Sequence, residues 1–291
     1  MPDKKDRFRV ALVQMRSGRD VRENLLKAEA FIRDAARKGA QFIQTPENTL
    51  LMETETARLF ERIAPEEATE AIPHFSALAK SLGIWLHIGS IAIKVGEKRA
   101  VNRAFLFAPD GQIVLRYDKI HMFDVNLPNG ENYRESTTFA PGRTAYVAPL
   151  PWGALGVGTC YDIRFPEQYK ALAKAGAKFL AAPSAFTKAT GEKHWHILLR
   201  ARAIENGCFV FAAAQGGRHA NGRTTYGHSL IVSPWGDILG EGGTDPEIIM
   251  ADIDSADVDR VRARIPALDH TCDFAVTVLP KPKLAALEVL E

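Results

Sequence analysis

Gly156-Val157-Gly158-Thr159-Cys160-Tyr161-Asp162-Ile163-Arg164-Phe165-Pro166-Glu167 is the stretch from which the fold is read. Residues 154–159 are small and apolar, as a buried strand requires, and Gly156 and Gly158 leave room for other backbone to approach. Pro166 marks the start of a helix. Cys160 therefore falls where a strand has ended and a helix has not yet begun. Such a junction presents a side chain to solvent or ligand from a rigid base. A nucleophile needs that position, and nearby helix N-termini favour the thiolate. Taken alone, a lone cysteine is more often a small buried hydrophobe, so the rest of the chain has to decide.

The same grammar extends outward on both sides. Upstream, Phe8 to Gln14 reads as a buried strand, followed by a helix with Asp20 as N-cap, apolar residues at Val21, Leu25, Ala28, Ile32 and Ala35, and Gly39 as its C-terminal glycine. Gln41 to Thr45 is a short strand stopped by Pro46, and Glu47 follows at once. Glu70 to Leu82 reads as a helix closed by Gly83, and Ile84 to Ile93 as a strand. Val101 to Tyr117 is a hairpin turning on Pro109-Asp110-Gly111, with Lys119 two residues beyond its second arm. His121 to Gly142 lacks periodicity and is too long for a connector, which marks a functional loop.

Downstream, Glu167 to Ala175 reads as a helix closed by Gly176, and Phe179 to Ala182 as a strand stopped by Pro183. A helix from Glu192 to Asn206 closed by Gly207, a strand from Cys208 to Gln215 and a hairpin from His228 to Gly240 complete the series. The hairpin run at 105–115, F-L-F-A-P-D-G-Q-I-V-L, matches S-L-I-V-S-P-W-G-D-I-L at 229–239 in kind and place. Two similar halves follow, each a mixed sheet with helices on one side. Packing their bare faces together predicts an α/β fold: a four-layer α-β-β-α sandwich with internal pseudo-two-fold symmetry. Ile248 to Ile253 reads as a further strand, and Ser255 to Ile265 as a short helix capped by Ser255 or Asp257. The domain is expected to span residues 8–274, leaving 275–291 as a C-terminal tail. From Pro266 onward the chain either lies across a neighbouring subunit or hangs as a loose terminus.

Composition narrows the classes. The chain has 291 residues, 46% of them hydrophobic and 25% charged, with a formal net charge of +2. That is an ordinary globular balance, with no pull toward nucleic acid or an anionic membrane. No apolar run approaches the ~20 residues of a membrane span. Cys160, Cys208 and Cys272 make an odd count behind a start without a secretory pattern, so reduced thiols and a cytoplasmic location are expected. No C-x-x-C pair occurs, and His194 and His196, two apart on a helix, face different sides. Neither a metal nor a cofactor is expected.

Glu47, Lys119 and Cys160 each sit at or just past the end of a predicted strand, where sites collect in α/β folds. Each alone is weak, since an exposed glutamate or lysine at a turn is usually only solvated. Together their roles complement one another: a thiol needs a base, and the oxyanion formed by attack on a carbonyl needs donors.

With Thr45-Pro46-Glu47-Asn48, Tyr117-Asp118-Lys119-Ile120-His121-Met122-Phe123-Asp124 and Gly158 to Glu167, the chain resembles the nitrilase superfamily of carbon–nitrogen hydrolases. His194-Trp195, Arg200 to Asn206 and Tyr226-Gly227-His228-Ser229 extend the likeness over most of the chain. It is particularly similar to the deaminated-glutathione amidase and ω-amidase branch. The resemblance implies the same sandwich fold, with Cys160 as nucleophile and Glu47 as general base. It implies Lys119 as oxyanion support together with the Tyr161 N–H, and Glu135 as the further glutamate that orients Lys119 or the substrate.

Arg164 either clamps a substrate carboxylate or pairs with Asp162 or Glu167 to hold the turn. Phe186 is a candidate pocket wall. His121 is a weak alternative base.

The implied activity is hydrolysis of a small carboxylate-bearing amide to acid and ammonia through a cysteine thioester. Nitrile-hydrolysing relatives typically carry Trp-Glu after the cysteine, whereas this chain has Tyr161-Asp162. N-carbamoyl-amino-acid hydrolases usually differ at the same place, so Ile163-Arg164-Phe165-Pro166 tilts toward amidases. The run 212–219, A-A-A-Q-G-G-R-H, resembles the deaminated-glutathione branch more than the ω-amidases. Two other classes stay open: a catalytically silent small-molecule scaffold and a metallohydrolase. Relatives assemble by packing helices of two sandwiches, so a homodimer or homotetramer is implied.

Overall fold

The computed structural model describes residues 6–128 and 130–281. In the first half, β1 (Arg7–Gln14) leads through α1 (Val21–Arg37) to β2 (Phe42–Gln44). Short α2 (Thr56–Phe60) and α3 (Ala71–Leu82) then lead to β3 (Trp85–Gly96). These three strands are parallel, and β4 (Arg99–Phe107) and β5 (Ile113–Asp118) return antiparallel. The expected loop then carries a small hairpin of its own, β6 (Asp124–Asn126) and β7 (Asn132–Arg134). Arms of three residues are too short to show a strand period.

The second half repeats the plan. Edge strand β8 (Val147–Leu150) pairs with β9 (Gly153–Val157). Then α4 (Pro166–Lys174), β10 (Ala177–Ala181), α5 (Lys188–Asn206) and β11 (Phe209–Ala212) follow. A hairpin of β12 (Gly216–Arg218) and β13 (Thr224–Tyr226) precedes β14 (Leu230–Val232) and β15 (Ile238–Glu241). β16 (Glu247–Asp254) crosses back to pair antiparallel with β1, and α6 (Ala256–Arg264) follows it.

The two six-stranded sheets run β16-β1-β2-β3-β4-β5 and, from its β8 edge, β8-β9-β10-β11-β14-β15. In each, three parallel strands are flanked by an antiparallel edge strand on one side and two antiparallel strands on the other. The predicted pseudo-two-fold symmetry is therefore present in strand order and direction.

Strand alternation builds the layers. On β1, Val10 and Leu12 enter the apolar layer between the sheets, while Ala11 and Val13 face helices α1 and α3. The inter-sheet layer is aromatic, with Phe8, Phe42, Phe179 and Phe211 fully enclosed and Phe179 stacked on Phe211 at 5.5 Å between centroids. A third layer packs Tyr169 and Leu172 of α4 and Trp195 and Leu199 of α5 against β10 and β11. Burial of these apolar faces, at roughly 25 cal/mol per Å2, is the main stabilising term.

The helix signals hold in most places. Asp20 accepts from the Glu23 N–H at 2.7 Å. Gly83 and Gly207 end their helices in the left-handed region, at φ 64° and 54°.

Three local readings need correction. Helix α5 starts at Lys188 rather than Glu192, capped by the Thr187 hydroxyl, which accepts from the Thr190 N–H. A Cβ on Gly191, inside its first turns, would stand 2.3 Å from the Tyr226 side chain, so close packing accounts for that glycine. Gly156 and Gly158 make way for side chains rather than backbone: added Cβ atoms would meet Leu172 Cβ at 2.9 Å and Tyr169 Oη at 2.4 Å. Ser255 stands before α6 without a capping bond.

Residues 271–281 form no regular element and are exposed, and the rest of the expected tail, 282–291, lies outside the described residues. No helix among the described residues is long and apolar enough to cross a membrane.

Candidate active site

Glu47 follows β2, Lys119 follows β5 and Cys160 follows β9, and all three line one cavity of about 490 Å3. That size suits a small molecule. The three are 3%, 2% and 6% exposed, so their charges meet in a nearly dry corner. The Lys119 ammonium donates to Glu47 Oε1 at 2.9 Å and to both Glu135 oxygens at 3.0 and 2.8 Å. The second Glu47 oxygen accepts from the Ala185 N–H at 2.9 Å. The Cys160 thiol is hydrogen-bonded to Glu47 and also meets the Ala185 N–H. The sulfur thus shares one cavity with the carboxylate and its lysine partner and is not sealed among hydrocarbons.

The electrostatics set the resting protonation. Burial alone would raise the Glu47 carboxyl, but the Lys119 ammonium and its hydrogen bond, with the thiol bond and Arg223 behind them, hold it below the usual carboxylate range. Burial would likewise depress Lys119, but Glu135 and Glu47 together hold it well above the ordinary lysine value. For Cys160, burial and then the Glu47 charge push the thiol up, and Lys119 offsets only part.

The sequence expectation of a thiolate favoured by a helix N-terminus is therefore overturned. Cys160 opens a 3-10 turn, Cys160–Arg164, and α4 begins only at Pro166. At rest the proton sits on sulfur beside an ionised carboxylate, which is the state a general base requires.

Backbone shape aims the sulfur. Cys160 has φ 50°, in the left-handed region, and Asn48, directly after Glu47, has φ 55°. The Cys160 N–H donates to Pro183 O and the Asp162 N–H to Thr159 O. This leaves the Tyr161 N–H, the second of the turn, without a protein acceptor among the described residues. Asp162 anchors the turn from beneath: fully buried, it accepts from Tyr117 Oη at 2.5 Å, the Thr159 N–H at 2.8 Å and the His121 N–H at 2.9 Å. His121 also points Nδ1 at Asp162, 2.8 Å away, and stacks on Phe165 at 3.5 Å, so it holds the loop and stands apart from the cavity.

The remaining expectations divide. Glu135 lies in the short turn after β7, accepting from Lys119 and from the Phe123 N–H at 2.6 Å. Tyr161 and Phe186 line the cavity. Arg164 does not line it. Its guanidinium carbon stands 5.3 Å from the Phe186 ring and 5.9 Å from Tyr161, and Nη2 meets His194 Nδ1 at 3.2 Å. Among the described residues it pairs with no carboxylate, so the reading in which Asp162 or Glu167 holds it is wrong. Asp162 is already saturated by Tyr117, His121 and Thr159.

His196 meets His228 and Glu241 through a tertiary contact, their ligand-type atoms within 4.8 Å of one another. Hydrogen bonds of 2.9 and 2.8 Å to Glu241 account for the grouping, and none of the three lines the cavity.

Sequence reasoning missed three residues. Asn102 on β4 donates to Glu47 Oε1 at 2.9 Å, and its carbonyl accepts the Lys119 N–H. Its signal was a lone amide in the run Ala100-Val101-Asn102-Arg103-Ala104. Gln215 donates to the carbonyls of Glu47 and Asn48 at 3.0 and 3.1 Å, tying the second half to the first. Arg223 lines the cavity from the loop before β13.

Comparison with known proteins places this geometry. The carbon–nitrogen hydrolase family matches residues 9–263. A deaminated glutathione amidase of Synechocystis sp. is 41% identical over 269 residues, covering 90% of this chain and 97% of its own length. The omega-amidase of Homo sapiens is 34% identical over 94% of this chain and 99% of its own. The C. elegans NitFhit protein superposes with a TM-score of 0.85 at 34% identity, over 91% of this chain but only 65% of that longer one. A mutant amidase from Nesterenkonia sp. AN1, with a TM-score of 0.75 at 27% identity over 89% of this chain and 98% of its own, carries acrylamide added to its active-site cysteine. On the sheet order, the buried cysteine–carboxylate–lysine cluster and these matches, the chain belongs to the carbon–nitrogen hydrolase family.

Proposed function

We propose that this chain is an amidase that hydrolyses a small carboxylate-bearing amide through a thioester on Cys160. The observation that carries the reading is the contact of a protonated thiol with an ionised, lysine-paired carboxylate in one dry cavity. As the Cys160 sulfur attacks the carbonyl carbon, its proton passes to Glu47. The oxyanion forms beside the Lys119 ammonium and the Tyr161 N–H, donors already in place. Collapse breaks the C–N bond, and the leaving nitrogen takes the proton from Glu47, departing as ammonia from a primary amide or as an amine from a secondary one. Glu47 then removes a proton from water as the water oxygen attacks the thioester. The C–S bond breaks, the acid leaves and the thiol is restored.

Glu135 acts as a positioning residue that holds Lys119, and Tyr161 and Phe186 form the cavity wall. The relatives named for deaminated glutathione and for omega-amides support substrates with an acid at the far end of the acyl chain. Exposed Ile197 and Ile204 on α5 and Trp235 in the turn before β15 support assembly through that helix layer as a homodimer or homotetramer.

The test is ammonia release from α-ketoglutaramate and succinamate, with intact-protein mass recorded during turnover. An acyl adduct that is absent in Cys160→Ala supports the reading. Turnover unaffected by Cys160→Ala on every accepted amide removes it.

A further inference from the structure

We infer that His196, His228 and Glu241 form a site for a divalent transition metal of the zinc type, separate from the cavity and structural in role. His196 Nε2 lies 2.9 Å from Glu241 Oε1, and His228 Nδ1 lies 2.8 Å from the same oxygen. The ligand-type atoms of the three residues all lie within 4.8 Å of one another. Two ring nitrogens thus converge on one carboxylate oxygen. A cation seated among them takes the place of the ring protons that point there: each imidazole keeps its proton on the far nitrogen and turns a lone pair to the ion.

The carboxylate has no competing cation. Among the described residues neither a lysine nor an arginine pairs with Glu241. Burial would raise its carboxyl, but the hydrogen bonds from His196 and His228 hold it below the usual range, so it is ionised at neutral pH. The three side chains are 30%, 26% and 35% exposed. An ion therefore reaches them from solvent and keeps water at its remaining positions. Two imidazole nitrogens, one carboxylate oxygen and an open position make a zinc donor set. Magnesium and calcium prefer shells made of oxygen and suit it poorly.

The ligands are held before any ion arrives. His196 lies in α5, His228 in the connection between β13 and β14, and Glu241 closes β15. Glu241 stands 45 positions from His196 and 13 from His228, so no local spacing reveals the set. His228 has φ 53°, its N–H donates to the Gly243 carbonyl at 2.8 Å, and its carbonyl accepts from Trp195 Nε1 at 2.7 Å. Its ring stacks on Tyr226 at 4.3 Å between centroids, and the His196 ring meets the same tyrosine edge-on at 6.0 Å. Little side-chain freedom is left to lose on binding. The ion would stitch α5 to the strands beside it. Trp195, next to His196, lies 4.9 Å from the Phe186 ring centre, and the Tyr226 N–H donates to the Phe186 carbonyl at 2.9 Å. The clamp thus stands behind one wall of the cavity, while none of its three ligands lines that cavity.

The experiment titrates zinc calorimetrically into the full chain after chelation and dialysis, with Cys160→Ala as background so that the cavity thiol does not compete. One ion per chain is expected, together with a rise in melting midpoint. His196→Gln and Glu241→Gln, added singly to that background, are each expected to weaken zinc binding by at least about 10-fold, since even an outer partner of a metal ligand is worth about 10- to 100-fold in affinity. The zinc-dependent rise in midpoint should shrink with it, and magnesium in place of zinc should give none.

Cobalt(II) supplies a readout that needs no ligand variant, and so survives a variant that does not fold. Visible d–d bands without a thiolate charge-transfer band are expected of a nitrogen–oxygen site. No zinc binding in the Cys160→Ala protein overturns the inference, as does zinc affinity unchanged in both ligand variants. A thiolate band with cobalt also overturns it, by giving the ion to Cys208 or Cys272. An equal rise in midpoint with magnesium refutes the zinc-type assignment.

Discussion

Replacing Glu47 by Gln separates the two things the cysteine does. The substitution keeps the shape that Asn102 and the Ala185 N–H hold, but it removes the charge beside the thiol. That charge is the second cause, after burial, of the raised Cys160 thiol, and Lys119 opposes it. For unit charges about 4 Å apart at an effective dielectric of about 20, such a charge is worth about 4 kcal/mol, so its removal favours the thiolate on that order. The thiol is therefore expected to titrate lower once that charge is gone. The variant is therefore expected to lose about 10²- to 10⁴-fold in turnover, because no group accepts the thiol proton or activates water. Its thiol should meanwhile alkylate with iodoacetamide at an inflection below that of the wild type. Two assays on one sample suffice: ammonia release from succinamate, and alkylation rate against pH followed by mass. Turnover within tenfold of wild type refutes Glu47 as the base. Alkylation that falls in parallel with turnover refutes the electrostatic argument and leaves Glu47 a scaffold.

Other expectations follow from the same contacts. His87 is fully buried and held down to about 3 by burial, and His219 to about 4, both from 6.5. Depressed histidines are neutral when folded, so the unfolded chain binds more protons. Their contribution is present above pH 6.5 and is lost as pH falls toward 4, on the order of 2 kcal/mol each by pH 4.5. Thermal melts should show the midpoint dropping over that window, with a shallower slope in His87→Gln; a flat profile in the wild type counts against it. Asn102→Leu removes a donor from Glu47 and is expected to lower kcat by about 10-fold or more while leaving the alkylation inflection near that of the wild type. An undiminished kcat would show that Lys119 and Ala185 hold the carboxylate alone. Gly158→Ala forces a methyl group to 2.4 Å from Tyr169 Oη. It should cost about 1–3 kcal/mol in denaturant melts, and a neutral result would mean that α4 shifts freely.

The fold was legible because its signals are local. Asp20, Gly83, Gly176 and Gly207 punctuate helices at the expected ends, and the pattern of three parallel strands and a hairpin occurs twice in order. Glu47, Lys119 and Cys160 were legible as candidates because each stands just past a strand end. Boundaries failed where a tertiary contact overrode propensity, as at Gly191, which Tyr226 packs against. The supporting residues were not legible for the same reason. Nothing near Asn102 points to Glu47, 55 positions away, and nothing near Gln215 points to Glu47, 168 away. Arg223 looked like any loop arginine, because its environment comes from Ala185 and Tyr133. The thiolate expectation failed because burial and a neighbouring charge outweigh a short 3-10 turn.

Gln215 reaches from the second sheet to the peptide carbonyls of Glu47 and Asn48, while the sulfur answers from its own side. A nascent or clipped fragment ending before β8 owns a carboxylate and an ammonium but no sulfur. The complementary piece owns the thiol without the carboxylate that stands beside it in the whole fold. The chemistry is therefore licensed only by docking of the two sheets.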